Sequence, residues 1–339
     1  MKASSKLIQN PLVKHFLPLL LTLIFLQGCD RDNGTNIPND LDLRQEMRDF
    51  VIGISRNAED IDDDFLFIPQ NGIELVTQSG NLEERHLRYL SAIDGNGQED
   101  LFYAHDAGVD TDQYPDTDYL RKFLDISKNS GNQILVTDYC ANEEQIDGSY
   151  AKNNDAGYVG FATTRRKLDQ IPAYPQTPNN ENIQDITRLT QVRNFLYLIN
   201  FANYQSRQQF IEEVTATNYD LLIMDLFFND GTPFTADEIE QLRRKKEGGR
   251  RLVLAYMSIG EAESYRYYWQ PEWTSNKPDW MAKENPAWEG NFKVRYWYPE
   301  WQQIIYGNED SYLAKIMNAR FDGAYLDIID AYHYFEKRQ

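Results

Sequence analysis

Cysteine is nearly absent from this chain: Cys29 and Cys140 are the only two in 339 residues. So few thiols build neither a Cys₄ nor a Cys₂His₂ zinc cluster, and the sequence implies no metal and no cofactor. With Cys29 engaged elsewhere, as argued below, no intrachain disulfide exists. Positive charge is also scarce, with 34 Lys and Arg against 53 Asp and Glu and a formal charge of −19. Phosphate binding needs a basic footprint, so a nucleic-acid partner is not expected. Long apolar runs are missing too. The stretch Phe16 to Leu26 is eleven residues, too short to span a bilayer as a stable helix. What remains, 41% hydrophobic and 26% charged, is an ordinary globular composition that excludes collagen-like and wholly disordered chains.

The first 29 residues carry Lys2, Lys6 and Lys14, no acid, and then the apolar run, which is a secretory signal pattern. The run ends in Leu26-Gln27-Gly28-Cys29 and resembles the bacterial lipobox, in which cleavage precedes a cysteine that is then lipidated. A buried N-terminal helix or an uncleaved anchor is the competing reading. The resemblance implies an exported cell-envelope lipoprotein held to the membrane through Cys29 alone. Residues 30–41 are polar and turn-rich and read as a tether, which leaves 42–339 as a single domain. Without the signal the formal charge becomes −22, which suits a cationic partner or simply solubility. A monomer is expected.

Beyond the tether, apolar runs alternate with amphipathic stretches. The spacing of Leu43, Met47, Phe50, Val51 and Ile54 predicts a helix over 42–56. Eight runs read as strands: 65–69, 90–94, 133–138, 157–162, 195–200, 219–225, 251–258 and 322–327. Helical patterns at 118–128, 205–214 and 236–246 lie among them. Near-continuous apolar strands separated by helices indicate an α/β fold with a covered parallel sheet. Eight such units match a (β/α)₈ TIM barrel. A doubly wound open sheet is the alternative, but it would place a Gly-rich fingerprint after its first strand, and Gln70-Asn71-Gly72 is not one.

The carboxyl ends of these runs carry Gln70 and Asn71, Glu99, Asp138, Asn200, Asp225, Ser258 with Glu261, and Asp327 with Asp330. Any one acid reads as a helix cap or a loop ion pair. In a barrel, however, all strand ends converge on one face, where several carboxylates would meet. Paired carboxylates are the apparatus of glycoside hydrolysis, one protonating the leaving oxygen and the other acting as nucleophile or as base for water. Tyr256 and Tyr325, within their strands, join Gln70, Asn71, Asp138, Asp225, Ser258, Glu261 and Asp330 as expected substrate contacts. Between Ser258 and Asp322 lies a long insertion holding all six Trp residues, Trp269 to Trp301, interleaved with tyrosines. Two or three of these aromatics are expected to face a sugar ligand, and the rest to form a small satellite core.

Three segments then carry a family resemblance: Ser258-Ile-Gly-Glu-Ala-Glu263 with Tyr265-Arg-Tyr-Tyr-Trp269, Glu284-Asn-Pro-Ala-Trp-Glu-Gly-Asn291, and Phe321-Asp-Gly-Ala-Tyr-Leu-Asp-Ile-Ile-Asp-Ala-Tyr332. They are similar to glycoside hydrolase family 114, the endo-α-1,4-polygalactosaminidase type, which implies a TIM barrel and an extracellular glycosidase acting on an α-linked amino-sugar polysaccharide. Glu99-Asp-Leu-Phe102 resembles the glutamate-containing segment after the sixth strand of that family, and Asp327 matches the aspartate ending its fourth. The resemblance thus implies Asp327 as nucleophile and Glu99 as acid/base. It also implies circular permutation, because the half that normally comes second (65–162) here precedes the half that normally comes first (195–327).

Glu99 depends on a strand boundary. With a strand at 90–94 it lies just past a carboxyl end and reaches the pocket, whereas with a strand at 101–103 it lies at the opposite face. The Gly95-Asn96-Gly97 turn signal favours the first. Glu261 is the reserve acid. Competing functions are a non-catalytic carbohydrate-binding lipoprotein on the same scaffold and a Ca²⁺-binding protein, the latter weakened by the absence of EF-hand spacing.

Overall fold

The computed structural model describes residues 37–105 and 117–339. The signal segment, Cys29 and most of the tether lie outside the described residues. The chain enters through the helix Leu43–Glu59, which ends three residues beyond what its apolar spacing predicts. Asp42 caps it by accepting from the Gln45 N–H at 3.0 Å, and Leu43, Met47, Phe50, Val51 and Ile54 face the core.

Eleven strands follow among the described residues: β1 (Leu66–Pro69), β2 (Gly95–Ala104), β3 (Gln133–Tyr139), β4 (Val159–Thr163), β5 (Phe195–Tyr197), β6 (Leu221–Asp225), β7 (Leu252–Ser258), β8 (Glu261–Glu263), β9 (Met281–Glu284), β10 (Asn291–Val294) and β11 (Gly323–Asp327). Five pair in parallel in the order β1-β11-β7-β6-β5, and three in the order β2-β3-β4. The first strand therefore lies beside the last in parallel register, Leu66 opposite Gly323 and Pro69 opposite Leu326, as expected. A parallel bridge from Gln70 to Gly97 joins the two sheets at β1 and β2. There the Asn71 N–H donates to the Gly97 carbonyl at 2.8 Å. At the other junction the rings of Phe161 (β4) and Phe195 (β5) are 5.5 Å apart. The fold is thus α/β with parallel sheets. β6 and β7 are buried along their whole length, the pattern of strands covered on both faces.

One strand departs from expectation. Leu87–Leu90 is a helical turn, and β2 begins where the strand at 90–94 was expected to end. Both boundaries considered for Glu99 are therefore corrected. The Gly95-Asn96-Gly97 segment is strand, not turn, because its glycines serve close approach. A Cβ on Gly97 would overlap the Tyr325 hydroxyl, and one on Gly95 would overlap the Gln133 carbonyl. β2 keeps register with β3 from Gly95–Gln133 to Glu99–Thr137, then shifts and resumes at Ala104–Tyr139. Asp100, at φ +57°, turns the chain into this irregularity.

Acids also stitch the amino ends of the strands. The carboxylates of Asp94, Asp220 and Asp322 accept from the N–H groups of Phe67, Arg193 and Val253 at 2.8, 2.8 and 2.7 Å. Asp220 is further paired with Lys245 at 2.5 Å, both fully buried. A broad hollow of about 1660 Å³ lies at this end, and its acids Asp94 and Asp322 are committed to these bonds.

The expected insertion between β7 and β11 carries a small antiparallel sheet, β8-β10-β9. Trp269, Trp273, Trp280 and Trp301 form a chain of ring contacts 5.0 to 5.4 Å apart. The Trp301 indole N–H donates to the Ile259 carbonyl at 2.8 Å, which ties this satellite core to the end of β7.

Candidate active site

A cavity of about 670 Å³ opens at the carboxyl ends of the strands. Each strand of the two parallel sheets sends a residue to it from its end or the turn beyond: Gln70, Glu99, Tyr139, Arg166, Asn200, Asp225, Tyr256 and Asp327. Asn71, Glu261 and Asp330 line it as well.

Asp327 ends β11 and is held by three donors. Gln70 Nε2 and the Ile328 N–H reach its Oδ1 at 3.0 and 2.8 Å, and the Tyr256 hydroxyl reaches Oδ2 at 2.8 Å. Burial pushes its carboxyl up to about 8, with the neighbouring Glu99 charge adding, against the pull of the Tyr256 and Ile328 bonds. Glu99 is raised as well, again by burial first. Its surroundings are more polar than a proton donor's position implied. Tyr139 donates to Glu99 Oε1 at 2.6 Å, and Arg166 lowers the carboxyl's proton affinity. Two partly buried carboxyls line one cavity, each raised, and their titration belongs to the pair.

Other expected contacts divide by position. Asp225 lines the cavity, but both of its oxygens are engaged by Arg266, at 2.8 and 2.7 Å. The same guanidinium bonds Glu263, so one buried cation holds two carboxylates. Glu261 receives Asn285 at 2.8 Å, Asn291 at 3.3 Å and the Lys293 ammonium, so its oxygens are already taken. Asp330 is raised by burial, with Lys293 and His333 opposing.

Three expected substrate contacts fall outside the cavity. Asp138 is fully buried. Its Oδ1 accepts from the Phe102 and Tyr103 N–H groups at 2.9 and 3.3 Å, and its Oδ2 accepts from Ser149 at 2.6 Å. It pins the irregular end of β2 and is not free for a ligand. Ser258 is buried and donates to the Glu261 carbonyl at 3.1 Å, shaping the β7–β8 turn. Tyr325 points into the packed interior against Gly97 and the ring of Tyr197, 5.3 Å away. Position at a strand end does not decide which face a side chain takes, since alternate residues point to opposite faces.

Three aromatics of the insertion line the opening: Tyr265, Tyr267 and Trp288, exposed by 63, 39 and 54%. That is the number expected from the insertion. Tyr139, Arg166, Arg266 and Lys293 were not singled out in the sequence. Arg166 had a signal, because Arg165-Arg166-Lys167 is a basic triplet directly after a strand in an acidic chain. Arg266 and Lys293 sit in or beside the family-like segments. Tyr139 had none beyond its place at the end of β3. Among the described residues no group of three or more His, Cys, Asp or Glu is placed to hold a metal. Cys140 is buried, and that burial pushes its thiol up to about 12.

Residues 193–339 match the model of the glycoside-hydrolase family GH114. The chain is also similar to an uncharacterized protein of Methanocaldococcus jannaschii, 41% identical over 185 residues, which covers 52% of this chain and 49% of that protein. An uncharacterized protein of Deinococcus radiodurans is 41% identical over 128 residues, 38% of this chain and 39% of that protein. One of Thermotoga maritima is 35% identical over 132 residues, 39% of each. The chain thus spans about half the length of the first of these relatives and less of the other two.

Proposed function

We propose, from the premise that residues 193–339 make this a GH114-like glycoside-hydrolase chain, that the protein cleaves an α-linked amino-sugar polysaccharide with Asp327 and Glu99. The observation that carries this reading is that these two partly buried, raised carboxyls line one cavity at the carboxyl ends of the parallel strands. Asp327 has three donors aimed at it and takes the role of the anion; Glu99, which accepts from Tyr139, takes the proton-donor role that the family resemblance implies. Glu99 gives its proton to the glycosidic oxygen as the bond to the anomeric carbon breaks, and an Asp327 oxygen forms the new bond to that carbon. Water then displaces Asp327, losing its proton to Glu99. Tyr265, Tyr267 and Trp288 supply flat faces for sugar rings around the opening.

The same reading includes a closed (β/α)₈ barrel, supported by the Gln70–Gly97 bridge and by residues from all eight parallel strands reaching one cavity. It includes a circular permutation, since the family match covers only the second half of the chain. It further includes export as a monomeric lipoprotein anchored through Cys29, with the polysaccharide as partner.

The test is hydrolysis of α-linked galactosamine and N-acetylgalactosamine oligomers by the soluble Asp30–Gln339 protein. Asp327→Asn is expected to lower turnover by about 10³-fold or more while the circular dichroism spectrum is unchanged. Glu99→Gln should hurt substrates with poor leaving groups most, because activated aryl groups need little protonation. Near-native turnover by Asp327→Asn would overturn the assignment. Tight oligomer binding with no cleavage would favour the carbohydrate-binding reading instead.

A further inference from the structure

Arg166 is the cation of the cavity placed beside Glu99. Its Nη2 pairs with Asp100 Oδ1 at 2.5 Å, and Asp100 is the residue after Glu99, at φ +57°. Its guanidinium lies 3.9 Å from the centre of the Tyr139 ring. That ring's hydroxyl is the donor to Glu99 Oε1 at 2.6 Å. Arg166 Nε is buried without a hydrogen-bond partner, so the guanidinium is held by the stack and the Asp100 pair, and its side chain is only 23% exposed.

We propose that Arg166 is the positioning residue for Glu99, fixing the strand irregularity behind it through Asp100, orienting Tyr139 onto it, and holding a positive charge beside its carboxyl. The inference rests on the proposed roles of those two carboxyls. A flat cation stacked on the phenol fixes the ring plane and steadies the hydroxyl it donates. The same positive charge favours the Glu99 anion and opposes the burial that favours its acid form. Every charged or titratable group facing Glu99 enters this balance. Asp100 lies on its own strand, Tyr139 on β3, Tyr197 on β5, Tyr325 within β11 with Asp327 and Asp330 at its end, and Arg166 after β4, with the Asn71 amide adding a neutral bond. Arg166 is the positive member of the set, so its removal leaves burial and three acids acting in one direction. In the native protein the charge of Arg166 therefore works against the burial that favours the acid form of Glu99, which suits a carboxyl that must give up its proton and take it back.

The experiment reads protonation directly, so it stands even where no oligosaccharide is cleaved. Infrared difference spectra against pH follow the protonated-carboxyl band of the whole protein, with Glu99→Gln and Asp327→Asn assigning the two contributions. In Arg166→Met the Glu99 band is expected to persist upward by about one pH unit, the lower end of the effect of an adjacent opposite charge. Arg166→Lys, which keeps the charge, should stay near the parent. Where Arg166→Met does not fold, Arg166→Gln removes the same charge with a planar amide. On a cleaved oligomer the alkaline limb of the kcat/KM profile, where the acid form of Glu99 is lost, should move with the band. An unchanged Glu99 band in a folded, charge-free variant overturns the inference, whatever the activity; a shifted band without hydrolysis overturns only the glycosidase reading.

Discussion

At the scale of single residues, the site works by raising acids that ordinary solution would leave ionised. Asp327 has the usual carboxyl value of 3.8 in the unfolded chain and about 8 in the folded one. A group raised on folding contributes stability fully present below its unfolded value and lost as pH climbs through the folded one. The charge of Asp327 therefore costs stability progressively from about pH 4 to about pH 8, and the cost is constant above that. Asp327→Asn, neutral at every pH, should melt higher than the parent at pH 9, and the difference should shrink toward pH 5. Thermal melts across that range check it; a difference independent of pH would contradict the raised carboxyl. Arg266 is the opposite case, a buried cation serving Asp225 and Glu263 together. Arg266→Met leaves two carboxylates without their partner and should cost about 3–5 kcal/mol in a denaturant titration.

Among the elements, β2 is where close packing and the site depend on each other. Gly95 and Gly97 let this strand approach Gln133 and Tyr325, and the strand then delivers Glu99 at the last residue in regular register. Gly97→Ala places a methyl on the Tyr325 hydroxyl and should destabilise by about 1–3 kcal/mol, the usual cost of overpacking. Combining it with Tyr325→Leu should recover part of that loss, which a pair of denaturation curves measures. Asp138 belongs to the same element as a clamp, since its carboxylate takes the backbone N–H groups of Phe102 and Tyr103. Asp138→Ala should loosen this end of β2, speeding amide exchange at Phe102 and Tyr103 and lowering turnover without weakening sugar binding at the aromatic rim.

On the scale of the whole molecule, the acids fall into two groups with different tasks. At the amino ends Asp94, Asp220 and Asp322 cap neighbouring strands, and at the carboxyl ends Glu99, Asp327 and Asp330 face an open cavity. Charge changes at the first group should lower stability and at the second activity. The membrane attachment expected from Cys29 is a property of the segment outside the described residues. Cys29→Ser should release the protein from membranes under a carbonate wash, because stable anchoring needs more than one acyl chain. Retention in the membrane fraction would end the lipid-anchor reading.

The sequence by itself determined the order of apolar strands and the aromatic insertion, because a buried parallel strand must be apolar on both faces and its helices must be amphipathic. It also placed Asp327 and Asp225 at strand ends, since each apolar run stops where the polar residue begins. The tertiary structure alone decided which strand-end residue looks into the cavity. Asp138 turned out to be a clamp and Tyr325 a core ring because their partners come from segments 11 residues away or far more, and Ser258 forms the turn to Glu261. It also decided β2, where glycines that locally signal a turn are required by Tyr325, more than two hundred residues further along the chain. The basic triplet at 165–167 marks Arg166 in the sequence but not its task, which lies in Asp100 and Tyr139, and only the folded chain brings a guanidinium, a phenol and a carboxyl together.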